Sequence, residues 1–219
     1  MRHRGRAPLA ILALAAAGAC SSHPEKSVVD SYFNAVNAGD NQTLSSFATV
    51  SFDKKVQRWT IKKTLGEIKT PVTLPDLAGK VRDTEKALAD NTKAAKVYGN
   101  DHYKELDEIK ALKKGAPVPA KLQPVSAEWE NFNKKDRELK KALAEAKDVF
   151  EKEKRMVSLS LGSPPDDAEN LTGDVVNKKI LLGLTIDGTE RDYVMTLRKY
   201  DVKGAGTRSR WMIHGLAPA

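Results

Sequence analysis

The sequence predicts an α+β protein: N-terminal helices packed on a curved antiparallel sheet, with a long antiparallel helical hairpin of coiled-coil character inserted between its parts. Three observations predict it. Val28, Val29, Tyr32, Phe33 and Val36 fall on one helical stripe near the front. Ile180, Leu182, Leu184 and Ile186 alternate as a half-buried strand does. Between them, from about Lys80 to Val157, the chain is charge-rich, nearly glycine-free and strong in helix formers.

The front is of a different kind. Met1-Arg2-His3-Arg4-Gly5-Arg6 is a positive segment, followed by an apolar run from Leu9 to Ala19 that is too short to span a bilayer. It ends in Ala17-Gly18-Ala19-Cys20. This resembles the lipobox of bacterial lipoprotein signal peptides, with Ala17 where that family usually carries Leu. The resemblance implies a signal peptide over residues 1–19 and a lipid-modified Cys20, bearing diacylglycerol on sulfur and an acyl group (palmitate or a similar chain) on the amine. Each buried methylene then contributes about 0.8 kcal/mol, so several chains hold the protein on a membrane. Ser21 rather than Asp after the cysteine implies the periplasmic face of the outer membrane. The alternative is an ordinary secretory leader cut after Ala19, which would leave an exposed thiol. That the chain's single cysteine stands at the lipobox position favours acylation.

Composition narrows the rest. The net charge is +8, but Arg2, Arg4 and Arg6 lie in the leader, leaving 34 basic against 29 acidic residues, or +5. Such a diffuse excess suits anionic lipid headgroups and lacks the clustering that nucleic acid demands. One cysteine excludes an intramolecular disulfide. No apolar run after residue 19 is long enough to cross a membrane.

Residues 20–25 read as a polar tether, and residues 26–78 as the first part of the α+β body. The stripe begun at Val28 closes at Asn37-Ala38-Gly39, with Gly39 suited to the left-handed position after a helix. Asp40 or Asn41 then caps a short helix carrying Leu44 and Phe47. Residues 54–62 alternate through Trp59 and Ile61 as a strand, and Pro71 and Pro75 punctuate the stretch beyond it.

Residues 79–157 form the hairpin insertion. In its second arm Trp129, Phe132, Asp136, Leu139, Leu143, Ala146 and Phe150 are spaced alternately by three and four. Acid-first pairs such as Asp136–Lys140 and Asp148–Lys152 support it. The first arm carries Val81, Leu88, Ala95, Tyr98, Leu106 and Ile109, with an interruption expected at Gly99-Asn100. Gly115-Ala116-Pro117-Val118-Pro119 separates the arms, since no helix crosses it unbroken. Residues 127–157 alone would span roughly 46 Å at 1.5 Å per residue, so much of the element should project.

Residues 158–219 complete the body as a β-meander. Asp187-Gly188 makes a two-residue turn, and the return strand alternates through Tyr193, Met195 and Leu197. A looser turn with Gly204 and Gly206 leads to a last strand, expected from Arg208 to Leu216, with Trp211 and Ile213 on one face.

The order helix, short helix, strand, then closing meander resembles the nuclear-transport-factor-2-like (cystatin-like α+β cone) superfamily. Val28 through Asp40, Tyr193 through Tyr200, and Arg210 through Gly215 carry the resemblance. The helical insertion departs from that pattern. The resemblance implies a sheet wrapped on a helix with a conical pocket, a scaffold that hosts many functions.

No catalytic constellation stands out, and no metal or cofactor is expected. Enzymes of that superfamily place an Asp or an Asp–His pair within the cone. His214 is the only histidine of the β region, but alternation places it with Met212, opposite Trp211 and Ile213, facing outward if the tryptophan face is inner. His102 lies in the insertion and His23 in the tether, too scattered for a metal site. Tyr32, Trp59, Tyr193 and Trp211 either line a pocket for a small apolar ligand or pack the core. Asp136 is the one polar residue of the heptad seam and either sets register or marks a wet edge. The expectation is a non-enzymatic, membrane-anchored envelope protein that meets another envelope component through residues 80–157. The alternatives are a ligand binder or enzyme using the cone, and a hairpin that joins copies of the chain.

Overall fold

A computed structural model describes residues 25–113, 115–165, 167–203 and 209–219. The elements are α1 (Lys26–Ala38), α2 (Asn41–Ser45), β1 (Arg58–Pro71), α3 (Leu74–Asp101), α4 (Tyr103–Ala111), α5 (Gln123–Leu161), β2 (Gly173–Ile186), β3 (Thr189–Val202) and β4 (Met212–Pro218). The four strands form one antiparallel sheet in the order β1-β2-β3-β4. The fold is thus mixed α+β, as the alternating C-terminal pattern and the helical stripes imply.

Helix α1 buries Val29, Tyr32, Phe33 and Ala35 on one side, the stripe read from the sequence. Gly39 ends it in a left-handed conformation (φ 67°), and its N–H closes the last turn on Ala35 and Val36. Asp40, rather than Asn41, caps α2: the Thr43 N–H donates to its carboxylate at 2.9 Å.

In the sheet, Asp187 and Gly188 both take positive φ (50° and 74°), the geometry a two-residue hairpin between right-twisted strands requires. β2 and β3 pair without a break from Gly173↔Val202 to Ile186↔Thr189. Two strand boundaries differ from expectation. β1 runs to Pro71, well beyond the segment 54–62, because it is an edge strand. From Lys62 onward it is exposed, so no alternation marks it; pairing with β2 and two bulges shape it instead. The last strand begins at Met212, and residues 204–208 lie outside the described residues.

Both faces of the sheet are covered, at opposite ends. On one face Ile180, Leu182, Leu184, Met195, Leu197 and Ile213 pack against α1 and α2. On the other, Val175, Tyr200 and Met212 pack against Met156, Val157 and Leu161 of α5 and Leu74 at the start of α3. A β-sheet needs each apolar face buried, and here helices from distant parts of the chain do it.

Helices α3 and α5 lie alongside one another in opposite directions. Glu85 pairs with Lys147 at 2.7 Å, and farther out Gly99 meets the Trp129 ring. The seam positions Trp129 to Phe150 are all buried or partly buried. Three details differ from the sequence expectation. Gly99 does not interrupt α3, which continues to Asp101 and gives way at His102. An added Cβ at Gly99 would stand 3.3 Å from Trp129, so the glycine serves the close approach of two helices. Second, α5 extends to Leu161, and its last turns belong to the core beneath the sheet. Third, the buried polar residue of the seam is Asn91 on α3, whose amide donates to the Phe132 carbonyl at 3.3 Å, while Asp136 sits at the margin paired to Lys140.

Candidate functional site

The residues that combine chemistry with a shaped surface lie between α5 and the sheet face turned away from α1. A bulge in β4 creates the place. Thr196 pairs with Gly215 and the next residue, Leu197, pairs with Ile213, so His214 is the extra residue with no partner across the ladder. Such bulges re-aim side chains. The segment after α2 braces it: Ile213 N–H donates to Phe47 O and Thr49 N–H donates to Ile213 O, both at 2.9 Å. Thr49 Oγ1 lies 3.5 Å from His214 Nδ1.

His214 thereby enters an open groove of about 560 Å³. Ala48, Val149 and Met156 supply apolar wall, and Lys152 and Arg155 stand on the α5 rim. Arg198 comes from β3, its Nε donating to Asn177 Oδ1 at 2.8 Å and its Nη1 4.0 Å from Glu153. Glu153 also accepts the Tyr200 hydroxyl at 2.8 Å. Burial, and after it the Glu153 charge, drives the Tyr200 phenol far above its usual range. The hydroxyl therefore stays a donor. Burial and then the positive Arg198 hold His214 below its ordinary 6.5, against the opposing pull of Glu153. At neutral pH its imidazole is uncharged, with one nitrogen to donate and one to accept. The sequence expectation of an outward His214 is half right. Its face is indeed opposite Trp211, but α5 covers part of that face, so the ring meets a groove wall and not open solvent.

The four aromatics proposed for a pocket are not gathered around one cavity. Tyr32 is fully buried, donates its hydroxyl to Val50 O at 3.2 Å, and meets Phe33 edge-on. Trp59 lies against Phe33 and donates its indole N–H to Asp30 at 2.8 Å. Tyr193 packs edge-on to Phe52. Trp211 flanks the α1 core and is approached by the ammonium groups of Lys178 and Lys199 at 5.9 and 5.4 Å. All four are packing residues of the α1 core.

Cys20, the lipidation candidate, and His23 lie outside the described residues. His102 sits between α3 and α4, stacked on Tyr98 at 4.4 Å. Among the described residues no group of three His, Cys, Asp or Glu side chains could hold a metal ion. No helix among them is long and apolar enough to cross a membrane.

Arg198, Glu153 and Asn177 were not singled out from the sequence. The one signal was the second face of β3: Val194, Thr196, Arg198, Tyr200 and Val202 are apolar at both ends and polar in the middle. No family model, curated protein or solved structure matches this chain.

Proposed function

We propose that this chain is a lipid-anchored protein of the bacterial envelope, outer membrane in the first place, that binds other molecules and catalyses no reaction. Its partner contact is carried by α3–α5 acting as a helical hairpin. The observation that carries this reading is the division of labour along α5. Its C-terminal turns complete a core under the sheet, whereas at its outer end Phe132 meets Tyr98 of α3 and Trp129 meets Gly99. An element that gives its own domain so little burial at its outer end has surface to offer elsewhere. Val97 and Tyr103 near the outer end are 53% and 60% exposed.

The start of the body supports the anchor. Glu25 is buried and ion-paired to Lys178 on β2, five residues after Cys20. A fully extended tether of that length reaches at most about 18 Å. The body would sit close against the lipid, with the helical pair as its reach.

The test replaces residues 89–139 by a short Gly–Ser loop. This keeps Leu74 and Met156–Leu161, which the second core needs; a cut at 80–157 would remove Met156 and Val157 with the arm. The sheet should remain folded while in-cell crosslinking to envelope components is lost. Undiminished crosslinking refutes the hairpin reading. Mass analysis of the N-terminal peptide checks the anchor independently: absence of fatty acid on Cys20 refutes that half alone.

A further inference from the structure

We propose that the groove between α5 and the sheet binds a small organic carboxylate with an apolar arm, the carboxylate on Arg198 and His214 and the arm against Val149 and Met156.

The charge argument comes first. Arg198 donates from Nε to Asn177 and its Nη1 faces Glu153 at 4.0 Å, which leaves some of the guanidinium's five N–H donors to give. Glu153 is the one acid of the groove wall, and one of its oxygens is taken up by the Tyr200 hydroxyl. Against it stand Arg198, Lys152 and Arg155. Lys152 leans on Asp148 at 2.6 Å, outside the lining. The balance is positive by a small amount, which suits a monoanion. A cleft with partly desolvated walls focuses that field on its interior.

Geometry supplies the rest. The bulge turns a neutral imidazole toward the same space, where it can donate to a carboxylate oxygen without adding the cost of a second buried charge. Met156 and Val149 make one side apolar. A planar guanidinium beside a hydrogen-bond donor, with an apolar wall, recognises a carboxylate by bidentate contact and its tail by burial. The volume of about 560 Å³ takes a ligand of roughly a dozen heavy atoms with room for water.

The experiment is calorimetric titration of the full-length chain, as the cell makes it, with 4-phenylbutyrate, its neutral carboxamide, and butyrate. The proposal expects saturable binding of 4-phenylbutyrate and affinities lower by about tenfold or more for both other probes. Arg198→Gln should weaken 4-phenylbutyrate about tenfold, and Arg198→Lys, which keeps charge but loses the planar fork, about threefold or more. Val149→Ser, at a residue exposed enough to leave folding intact, should weaken it about threefold. Lys63→Gln, on the edge strand away from the groove, should change nothing. The proposal is overturned if the carboxamide binds as well as the acid, if Arg198→Lys and Val149→Ser both bind like the parent, or if no saturation appears up to about 5 mM. The proposed function is read by crosslinking and by fatty acid on Cys20, neither of which depends on carboxylate binding, so the two can fail separately.

Discussion

Lys178, in the middle of β2, holds Glu25 in an ion pair beneath the start of α1, and Glu25 is 1% exposed. The pair joins the residue that precedes α1 to a strand inside the sheet. Lys178 also approaches Glu67 on β1 at 3.8 Å and the Trp211 ring, so one ammonium group ties the chain entrance, the edge strand and the last strand together.

Removing one partner of such a pair takes a countercharge from the other. Lys178→Met should cost about 3 kcal/mol in urea unfolding, because the buried Glu25 carboxylate loses the ammonium charge beside it. The double variant Glu25→Gln with Lys178→Met should recover part of that loss. Equal stability of parent and single variant would show that the pair is not held in solution.

At Gly99 two effects oppose each other. Alanine should improve helix α3 by up to about 1 kcal/mol, while its Cβ crowds Trp129. Gly99→Ala should therefore be close to neutral. Gly99→Val adds branching against the indole and should lose about 1–3 kcal/mol, with a shift of Trp129 emission. A neutral valine variant would mean the helices do not meet there.

Ser160 is fully buried in the last turn of α5, and its hydroxyl serves β3 and the segment before β4 at once. It donates to Arg210 O at 3.0 Å and accepts the Tyr200 N–H at 2.9 Å. Ser160→Ala leaves the buried Tyr200 N–H and the part-buried Arg210 carbonyl without that partner, and should destabilise by about 1–3 kcal/mol. Faster amide exchange at Tyr200 is the local signature, and unchanged exchange there would contradict the bridge.

His214 makes a pH prediction. Its folded value lies below the ordinary 6.5, so in the unfolded chain it takes up a proton at higher pH than in the folded one. Stability should fall as pH drops below about 6.5 through the folded value, then level off beneath it. Arg198, Lys152, Arg155 and Glu153 face the same groove and remain in both proteins compared. His214→Gln should flatten this part of the urea-midpoint profile between about pH 7 and pH 5. Parallel profiles for the two proteins would show that the ring is not desolvated.

Much of the architecture was open to reading from local pattern. The α1 stripe, a cap at the start of α2 and the Asp187-Gly188 turn each follow from spacing and from the φ a residue tolerates, and each is found where spacing put it. Edge strand β1 was only half legible, because exposure removes the alternation that reveals a strand.

What tertiary structure alone decided is which surfaces meet. Nothing local to Met156, Val157 and Leu161 says that they close a core beneath Tyr200, some forty residues on, nor that Leu74 joins them. The same holds for the groove. Arg198 reads as a solvated strand residue and Glu153 as a charged helix face until α5 is laid across the sheet and a bulge turns His214 between them. Periodicity records which side of an element is apolar, because burial acts on every turn of it. It carries no record of the neighbour that does the burying, and a polar site assembled from three elements depends on that neighbour.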